Sequence, residues 1–473
     1  MDDQTAIFPA TERFHALSMS ELGLRGALPA TTEGLAMELV LRVGEMMQSA
    51  GMSTSDTIRT MSRILDVYGL NRAQVDITHT SIVASYYPGD GLPPITSVRL
   101  VKPSEVNLTK VTDINRLTRS IEEGLKLEDA MRAFDVLRAA RPPFPNWAMV
   151  LGASSISAAV QLLYTTSPRV LLIALVTGVL LNRFVYALSR VGLPPFFLQL
   201  AGGWFIVAYT TFVYWAGETL GWAFFDGLDP SLIAVGGVFQ LVAGMKFVSA
   251  VQDAIDTHYL TASARILQVV MLTVGIVAGL VSGLDVAARL GAEFFISPEM
   301  PVMGSLTGQF AGAAMTALVY VVGQYTDLRT AVLSMAAALI AWALYVFALA
   351  ELVGDIFANF AGALAAAFLA TLVVRRSSIP GFAVVNAAVI PLVPGLRLYA
   401  GLIQMVGGTG AEGNLSHGAD TLGLAAAIAL AIAAGASLGT FFARPLGDRL
   451  MVLPRTWYER MRAPKSHATR PVA

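Results

Sequence analysis

Residues 330–350 read TAVLSMAAALIAWALYVFALA and contain no Asp, Glu, Lys or Arg. An α-helix needs about 20 mostly apolar residues to cross the hydrocarbon core of a bilayer. After a short break between Glu351 and Asp355, residues 356–374 read IFANFAGALAAAFLATLVV and meet the same condition. These stretches predict two consecutive membrane-spanning helices.

Similar stretches without charged residues recur along the chain after Pro145. One further stretch, 170–187, contains Arg183 close to its end, where a long side chain can reach the membrane surface. Counting it, we predict about ten transmembrane helices. The remaining charge-free stretches are 142–168, 191–217, 230–245, 266–284, 300–326, 377–396 and 421–443.

The composition supports an integral membrane protein in contact with the lipid bilayer. Of 473 residues, 55% are apolar and only 14% are charged, whereas soluble domains carry about 25% charged residues. The net charge of -1 gives no basic field for nucleic acid. The chain has no cysteine, which excludes disulfides and thiolate metal sites. Nucleotide-binding and hydrolase motifs are missing from the sequence. We therefore expect that the protein is not an enzyme and that it binds no cofactor and no metal.

The region before the helices has a different, amphipathic pattern. We expect a disordered tail over 1–32 and a small soluble α/β domain over 33–145, closed by a proline-rich linker. Residues Thr54 to Thr57 supply helix-capping side chains. The alternating stretch from Val75 to Tyr87 predicts one strand, and Ser97 to Val101 predicts a second.

Arginine distribution predicts the orientation in the membrane, because cytoplasmic loops are enriched in Arg and Lys. With the N-terminal domain inside, the outside loops hold few basic residues, and the tail 446–473 is basic and cytoplasmic. We therefore place both termini in the cytoplasm and the protein in the cytoplasmic (inner) membrane. The inside loops hold Arg183, Arg190, Arg265, Arg329, Arg375 and Arg376, and the outside loops Arg169, Arg289 and Arg397.

An internal repeat relates the two halves of the membrane region. Leu241 to Lys246 (LVAGMK) aligns with Leu392 to Arg397 (LVPGLR). Five-helix units over 146–290 and 300–445 must have opposite orientations, because five is odd. We therefore predict a multi-pass α-helical membrane protein with two inverted-topology repeats, an arrangement found in secondary transporters.

Polar residues interrupt the apolar pattern between Gly244 and Arg265. As a functional site, this strip would bind the ammonium and carboxylate groups of an amino acid and would couple transport to protons through Asp253. Alternatively, it is a cytoplasmic loop with a helix N-cap at Thr261 or Ser263. The candidate residues are Gly244, Gln252, Asp253, Thr261, Ser263 and Arg265.

A second candidate lies at Pro391 to Tyr399, where two prolines and a glycine should break the helix. The break would leave the Ile390 carbonyl free for substrate. A packing kink is the alternative. The candidate residues here are Pro394, Gly395, Arg397 and Tyr399, with Asn386 on the preceding helix and Glu351 and Asp355 as an outer proton port or a solvated turn.

These motifs resemble the threonine/serine exporters of actinobacteria and other bacteria over about residues 33–445. The resemblance implies a cytoplasmic N-terminal domain, ten helices and export of L-threonine and L-serine driven by the proton gradient. The family's broken helices usually contain Pro-Gly in both halves, whereas the first copy here is Ala243-Gly244. The matching strings are SDT (55–57), VDIT (75–78), GLP (192–194), VQD (251–253), TASAR (261–265), GIVAG (275–279) and PLVPG (391–395).

Three other functions stay open at this point. The same fold could export a dicarboxylate such as succinate. The N-terminal domain could be a membrane-tethered hydrolase using Asp56, Asp76 or His79. The membrane region could be a passive channel or sensor, and a homo-oligomer is possible in each case.

Overall fold

A computed structural model describes most of the chain between Thr32 and Met451. The tail 1–31, the linker 141–145 and the C-terminal 452–473 lie outside the described residues. The described ranges are 32–50, 52–78, 80–89, 92–101, 107–140, 146–218, 221–225, 227–242, 244–291, 302–324, 326, 328–351, 353–374, 379, 381–406 and 415–451.

The N-terminal unit, residues 32–139, packs four helices and a three-stranded antiparallel sheet around its own apolar core. The sheet order is β1-β2-β3, and the register pairs Val75 with Ala84 and Ala84 with Ser97. The elements are α1 (Thr32–Ser49), α2 (Thr54–Val67), β1 (Ala73–Ile77), β2 (Ser81–Tyr86), β3 (Ile95–Leu100), α3 (Leu108–Glu122) and α4 (Leu127–Ala139).

Two local predictions for this unit were wrong. The stretch predicted as one strand is two, β1 and β2, joined by a tight turn in which the Thr78 amide donates to the Ser81 carbonyl. Alternation continues through a short turn, so the pattern alone does not reveal it. The N-cap of α2 is Ser53, whose hydroxyl accepts from the Asp56 amide.

An ion-pair cluster fastens the edge strand β3 to α1. Arg99 donates to Glu45 at 2.6 Å and to Glu38 at 3.1 Å. Burial by itself would lower the pKa of Arg99, but the hydrogen bonds and charges of the two carboxylates outweigh it and raise that pKa. The sheet is thereby held against a helix of the core.

The membrane region is a multi-pass helical bundle. Among the described residues, six helices are long and apolar enough to span a bilayer, or eight if each of two bent helix pairs is one span. Two shorter apolar helices, Val150–Gln161 and Leu306–Val322, accompany them. The predicted count of ten therefore stays a prediction. The helices are α5 (Asn146–Ser154), α6 (Ile156–Gln161), α7 (Pro168–Arg190), α8 (Pro195–Glu218), α9 (Pro230–Leu241), α10 (Gly244–Ile255), α11 (Tyr259–Arg289), α12 (Leu306–Val322), α13 (Leu328–Ala350), α14 (Asp355–Val374), α15 (Gly381–Val389), a 3₁₀ turn (Ile390–Leu392), α16 (Gly395–Val406) and α17 (Leu415–Met451).

Large apolar side chains remain exposed on the outer faces of these helices. On α11 they are Leu267, Val270, Met271 and Val274, and on α17 Phe441 and Phe442. Contiguous apolar surface of this extent is costly in water, and it is what a helix facing lipid presents. The helix α17 also continues beyond residue 445, where we placed the end of the second repeat, through Met451.

Close packing of α8 against α11 depends on two glycines, Gly203 and Gly279, which have no side chain. A Cβ on Gly279 would overlap the carbonyl oxygen of Leu200, and a Cβ on Gly203 would lie 2.6 Å from the carbonyl oxygen of Ile276. Small residues let membrane helices approach closely enough for backbone contact.

We expect Gly279→Ala to lower the stability of the detergent-solubilised protein, because backbone cannot yield as a side chain can. Overpacking of this kind costs about 1–3 kcal/mol. The matched control is Gly423→Ala on α17, where a Cβ would meet nothing within 4 Å and alanine is the better helix former. Thermal unfolding followed by circular dichroism should show a lower midpoint for Gly279→Ala only; equal midpoints would contradict the packing argument.

Candidate functional site

Two broken helices meet inside the membrane region. The axis bends by 44° between α9 and α10, and by 44° between the 3₁₀ turn and α16. Each arm of twelve residues rises about 18 Å, roughly half of a bilayer core of about 30 Å. Each break therefore divides its helix pair into two arms of about half that thickness. The first break is as bent as the second although it contains no proline.

Reciprocal contacts join the two breaks. A Cβ on Gly244 would lie 2.5 Å from Val393 Cγ1, and a Cβ on Gly395 would lie 3.2 Å from Val242 Cγ1. Each glycine therefore receives the valine of the opposite break. This relation is expected for two elements that cross about a two-fold axis.

The prediction of a free Ile390 carbonyl was wrong. That carbonyl accepts the amide of Val393 at 3.1 Å, and the Gly395 amide turns back to the carbonyl of Val393 at 2.8 Å. Proline removes the usual i+4 donor, but the chain tightens into a 3₁₀ turn and supplies an i+3 donor instead. The Ile390 carbonyl is therefore already bonded within the chain.

The first of these side-chain groups is an ion pair between Asp253 and Arg265. Asp253 is 2% exposed on α10, and Arg265 reaches it from α11. The amide of Thr54, in the first turn of α2, also donates to the Asp253 carboxylate. A buried carboxylate requires such partners, and the arginine supplies one of opposite charge.

The corner between α10 and α11 also contacts the N-terminal unit. Ser55 donates to Asp256 at 3.0 Å, and its hydroxyl lies 3.1 Å from Nε2 of His258. Helix α11 begins at Tyr259, so the alternative of an N-cap at Thr261 or Ser263 was wrong. The corner is packed against α2 and is not a freely solvated loop.

A cavity of about 1310 Å³ opens between the N-terminal unit and the membrane helices. Its wall contains Gln252, Asp253, Arg265 and Asn386, and Ser55 and Arg59 line it from the N-terminal unit. The structure thus brings together four of the candidate binding residues that were predicted from the sequence. The volume is large enough for a hydrated small molecule.

A second ion pair lies beyond the break, away from the N-terminal unit. Arg397 of α16 pairs with Asp355, the first residue of α14. The same carboxylate accepts from Tyr345 and from Asn359, both at 3.1 Å. A cavity of about 50 Å³ adjoins this group and is also lined by Pro394.

Other candidate residues lie away from both cavities. Thr261 is buried in α11, Tyr399 packs in an apolar cluster, and the Ser263 hydroxyl donates to the Leu260 carbonyl. Glu351 is exposed, whereas Asp355 is half-buried, so only Asp355 of the predicted acidic pair joins a site. Within the described part of the chain, no group of three or more His, Asp or Glu side chains could hold a metal ion.

Sequence reasoning missed the contribution of Thr54 and Ser55 to the first site. They lie about 200 positions before Asp253, and a single sequence does not show which surface of the N-terminal unit faces the helices. It also missed Trp342, which lines the smaller cavity but reads as one more apolar residue of its helix.

Two consecutive parts of the chain match models of known protein families. Residues 38–287 match a family model described as "Putative threonine/serine exporter", and residues 309–442 match one described as "Threonine/Serine exporter". The chain belongs to the threonine/serine exporter family. The boundary between the two models falls between the two predicted repeats.

Two relatives show how far the similarity extends. The "Probable threonine/serine exporter" of Mycobacterium tuberculosis is 28% identical over 420 residues, covering 87% of this chain and 77% of the relative. The "Threonine/serine exporter" of Corynebacterium glutamicum is 29% identical over 414 residues, covering 87% and 83%. No solved structure is significantly similar to this chain.

Membership of a transporter family argues against the hydrolase alternative. Asp56 lies 3.5 Å from Arg59 in an ion pair, and Asp76 accepts the amide of Ile77. His79 lies outside the described residues. Both described carboxylates therefore already have local partners.

We expect Arg265→Gln to destabilise the protein, because it leaves the buried Asp253 without its counter-ion. Removing one partner of a buried pair costs about 3–5 kcal/mol. The control is Arg289→Gln, whose ion pair with Asp285 is exposed and should contribute at most about 1 kcal/mol. Thermal unfolding in detergent distinguishes them, and equal midpoints would show that Asp253 is well solvated.

Proposed function

We propose that the protein exports L-threonine and L-serine across the cytoplasmic membrane and that the proton gradient drives the export. The substrate enters the large cavity, binds beside the first helix break, and leaves through the second. Both termini and the N-terminal unit lie in the cytoplasm. The arginine distribution along the loops supports this orientation.

The observation that carries this proposal is the Asp253–Arg265 pair at the wall of the large cavity. A zwitterionic amino acid presents one positive and one negative group, and the pair offers a partner for each. Asp253 is also the carboxylate that a proton would neutralise. When it is protonated, its bond to Arg265 weakens, and the arginine becomes free to hold a substrate carboxylate.

Gln252 and Asn386 add neutral polar groups to the same wall. Such groups suit the hydroxyl of threonine or serine, since they can donate or accept a hydrogen bond. The substrate therefore meets charged groups at its backbone atoms and neutral groups at its side chain. This division fits small hydroxy amino acids better than long or charged ones.

Two inverted repeats, 146–290 and 300–445, would allow alternating access. Packing of α14 against α17 resembles that of α8 against α11: a Cβ on Gly435 would lie 2.5 Å from the Phe360 carbonyl oxygen. The cavity beside the N-terminal unit is about 1310 Å³. On the other side of the breaks, a cavity of about 50 Å³ adjoins Arg397 and a surface pocket of about 580 Å³ adjoins Asp355. A larger cavity on one side is expected of a carrier open to that side.

Asp253→Asn should abolish proton-driven transport while the protein still inserts normally, because asparagine cannot change its charge. The measurement is flux of radiolabelled threonine, serine and succinate in proteoliposomes, with and without an imposed pH gradient. Asp285→Asn, which alters an exposed carboxylate, is the control and should behave as wild type.

Each result of this experiment has a definite meaning. Accumulation of threonine against its gradient by Asp253→Asn would show that coupling lies elsewhere, with Asp355 the next candidate. Transport of succinate and not of threonine would assign the dicarboxylate function. Flux without counterflow exchange would indicate a channel, since only a carrier exchanges substrates across the membrane.

We expect Gly244→Ala to slow transport more than Gly395→Ala, because its added methyl group comes closer to the opposite valine. Overpacking at the crossing should cost about 1–3 kcal/mol in the state where the breaks touch. The maximal rate of threonine exchange measures the effect. Equal rates in both variants would show that the crossing can relax freely.

A further inference from the structure

Two side chains that line the smaller cavity carry buried hydrogen-bond donors without a partner among the described residues. Trp342 is 1% exposed on α13, and its Nε1 has no hydrogen-bond partner among the described residues. The same holds for Nη1 of Arg397, although Nη2 of that residue pairs with Asp355. Both side chains line the cavity of about 50 Å³. A buried donor without a partner destabilises the protein, and a charged donor does so more strongly.

This cavity lies on the far side of the breaks from the N-terminal unit. The Leu108 amide donates to the Gln324 carbonyl just before α13, so α13 begins beside the N-terminal unit. Its 23 residues then rise about 34 Å before the chain reaches Asp355. The Trp342–Arg397–Asp355 group is therefore separate from the Asp253–Arg265 site.

We propose that Trp342 Nε1 and Arg397 Nη1 form a carboxylate-binding subsite that holds the amino acid on its way out. The inference rests on the exporter function proposed above and adds a second binding position and one new residue. A carboxylate can accept a hydrogen bond from each donor at once, so it would satisfy both groups that the protein leaves unpaired.

Charge selects the class of ligand. Arg397 and Asp355 together are neutral, and no other described lining residue is charged, so a dicarboxylate would bring two uncompensated negative charges into the pocket. A zwitterion brings none. Its carboxylate binds the two donors, and its ammonium group lies near the Asp355 carboxylate, which Tyr345 and Asn359 hold in place.

The subsite is too small for an amino acid in this structure. A buried water needs about 10–15 Å³, so 50 Å³ accommodates about four water-sized groups, and threonine has about twice as many non-hydrogen atoms. Residues Phe239 and Val393 form part of the wall, and Val393 belongs to the crossing of the breaks. Opening toward the far side must therefore accompany movement at that crossing.

Counterflow exchange in right-side-out vesicles tests the subsite. Labelled threonine is measured while external L-serine or L-serinamide competes; serinamide lacks the carboxylate. The test variant Trp342→Phe removes the N–H donor and keeps an aromatic ring. The control, Trp204→Phe, alters an indole that already donates to Ser282 at 3.0 Å.

We expect Trp342→Phe to lower the apparent affinity for external serine about 10-fold or more, which is the effect of losing one hydrogen bond to a charged group. Serinamide should compete as it does in wild type, so the preference for serine over serinamide falls by the same factor. Inside-out vesicles should show wild-type affinity. If Trp342→Phe fails to insert, Arg397→Lys, which keeps the charge but loses the second donor, replaces it with the same expected result.

The two proposals fail in different ways. Absence of threonine counterflow in wild-type vesicles would remove the exporter function and the subsite with it. Normal counterflow together with an unchanged serine-to-serinamide preference in the variant would overturn the subsite alone. An equal loss of affinity from both sides would also overturn it, because a single shared site would then explain the data.

Discussion

The contact between the two broken helices is the constraint on which the rest of the bundle depends. It exists because positions 244 and 395 carry no Cβ, so each can receive the valine of the other break. Backbone within lipid must satisfy its own hydrogen bonds, and at the second break the 3₁₀ turn bonds the Ile390 carbonyl. The breaks therefore set the shape of the bundle where the two helices cross.

Charge is placed on both sides of that crossing in the same form, a carboxylate paired with an arginine. Such pairs are costly to bury and neutral overall, and both properties suit a carrier of zwitterions. The neutral pair does not repel a neutral substrate, and its internal bond can be exchanged for bonds to the substrate. The two pairs differ in their surroundings: a cavity of about 1310 Å³ adjoins Asp253, whereas a cavity of about 50 Å³ and a surface pocket adjoin Asp355.

The N-terminal unit takes part in the first of these sites. The start of α2 donates from Thr54 to Asp253, and Ser55 contacts Asp256 and His258. A helix N-terminus carries partial positive charge and stabilises a carboxylate. The unit thereby adds a third partner to an ion pair that the membrane helices already form, and a shift of the unit would change the environment of Asp253.

The sequence by itself determined the membrane character of the chain, the amphipathic N-terminal region, the break at Pro394-Gly395 and the family. Each of these is local: a run of apolar residues, a spacing or a short motif is read from neighbouring positions. Tertiary structure alone decided that Asp253 pairs with Arg265, that Asp355 pairs with Arg397, that the Ile390 carbonyl is already bonded, and that Trp342 faces a cavity. Those facts depend on which faces of distant helices meet, and the uniform apolar composition of membrane helices leaves no periodic signal to predict it.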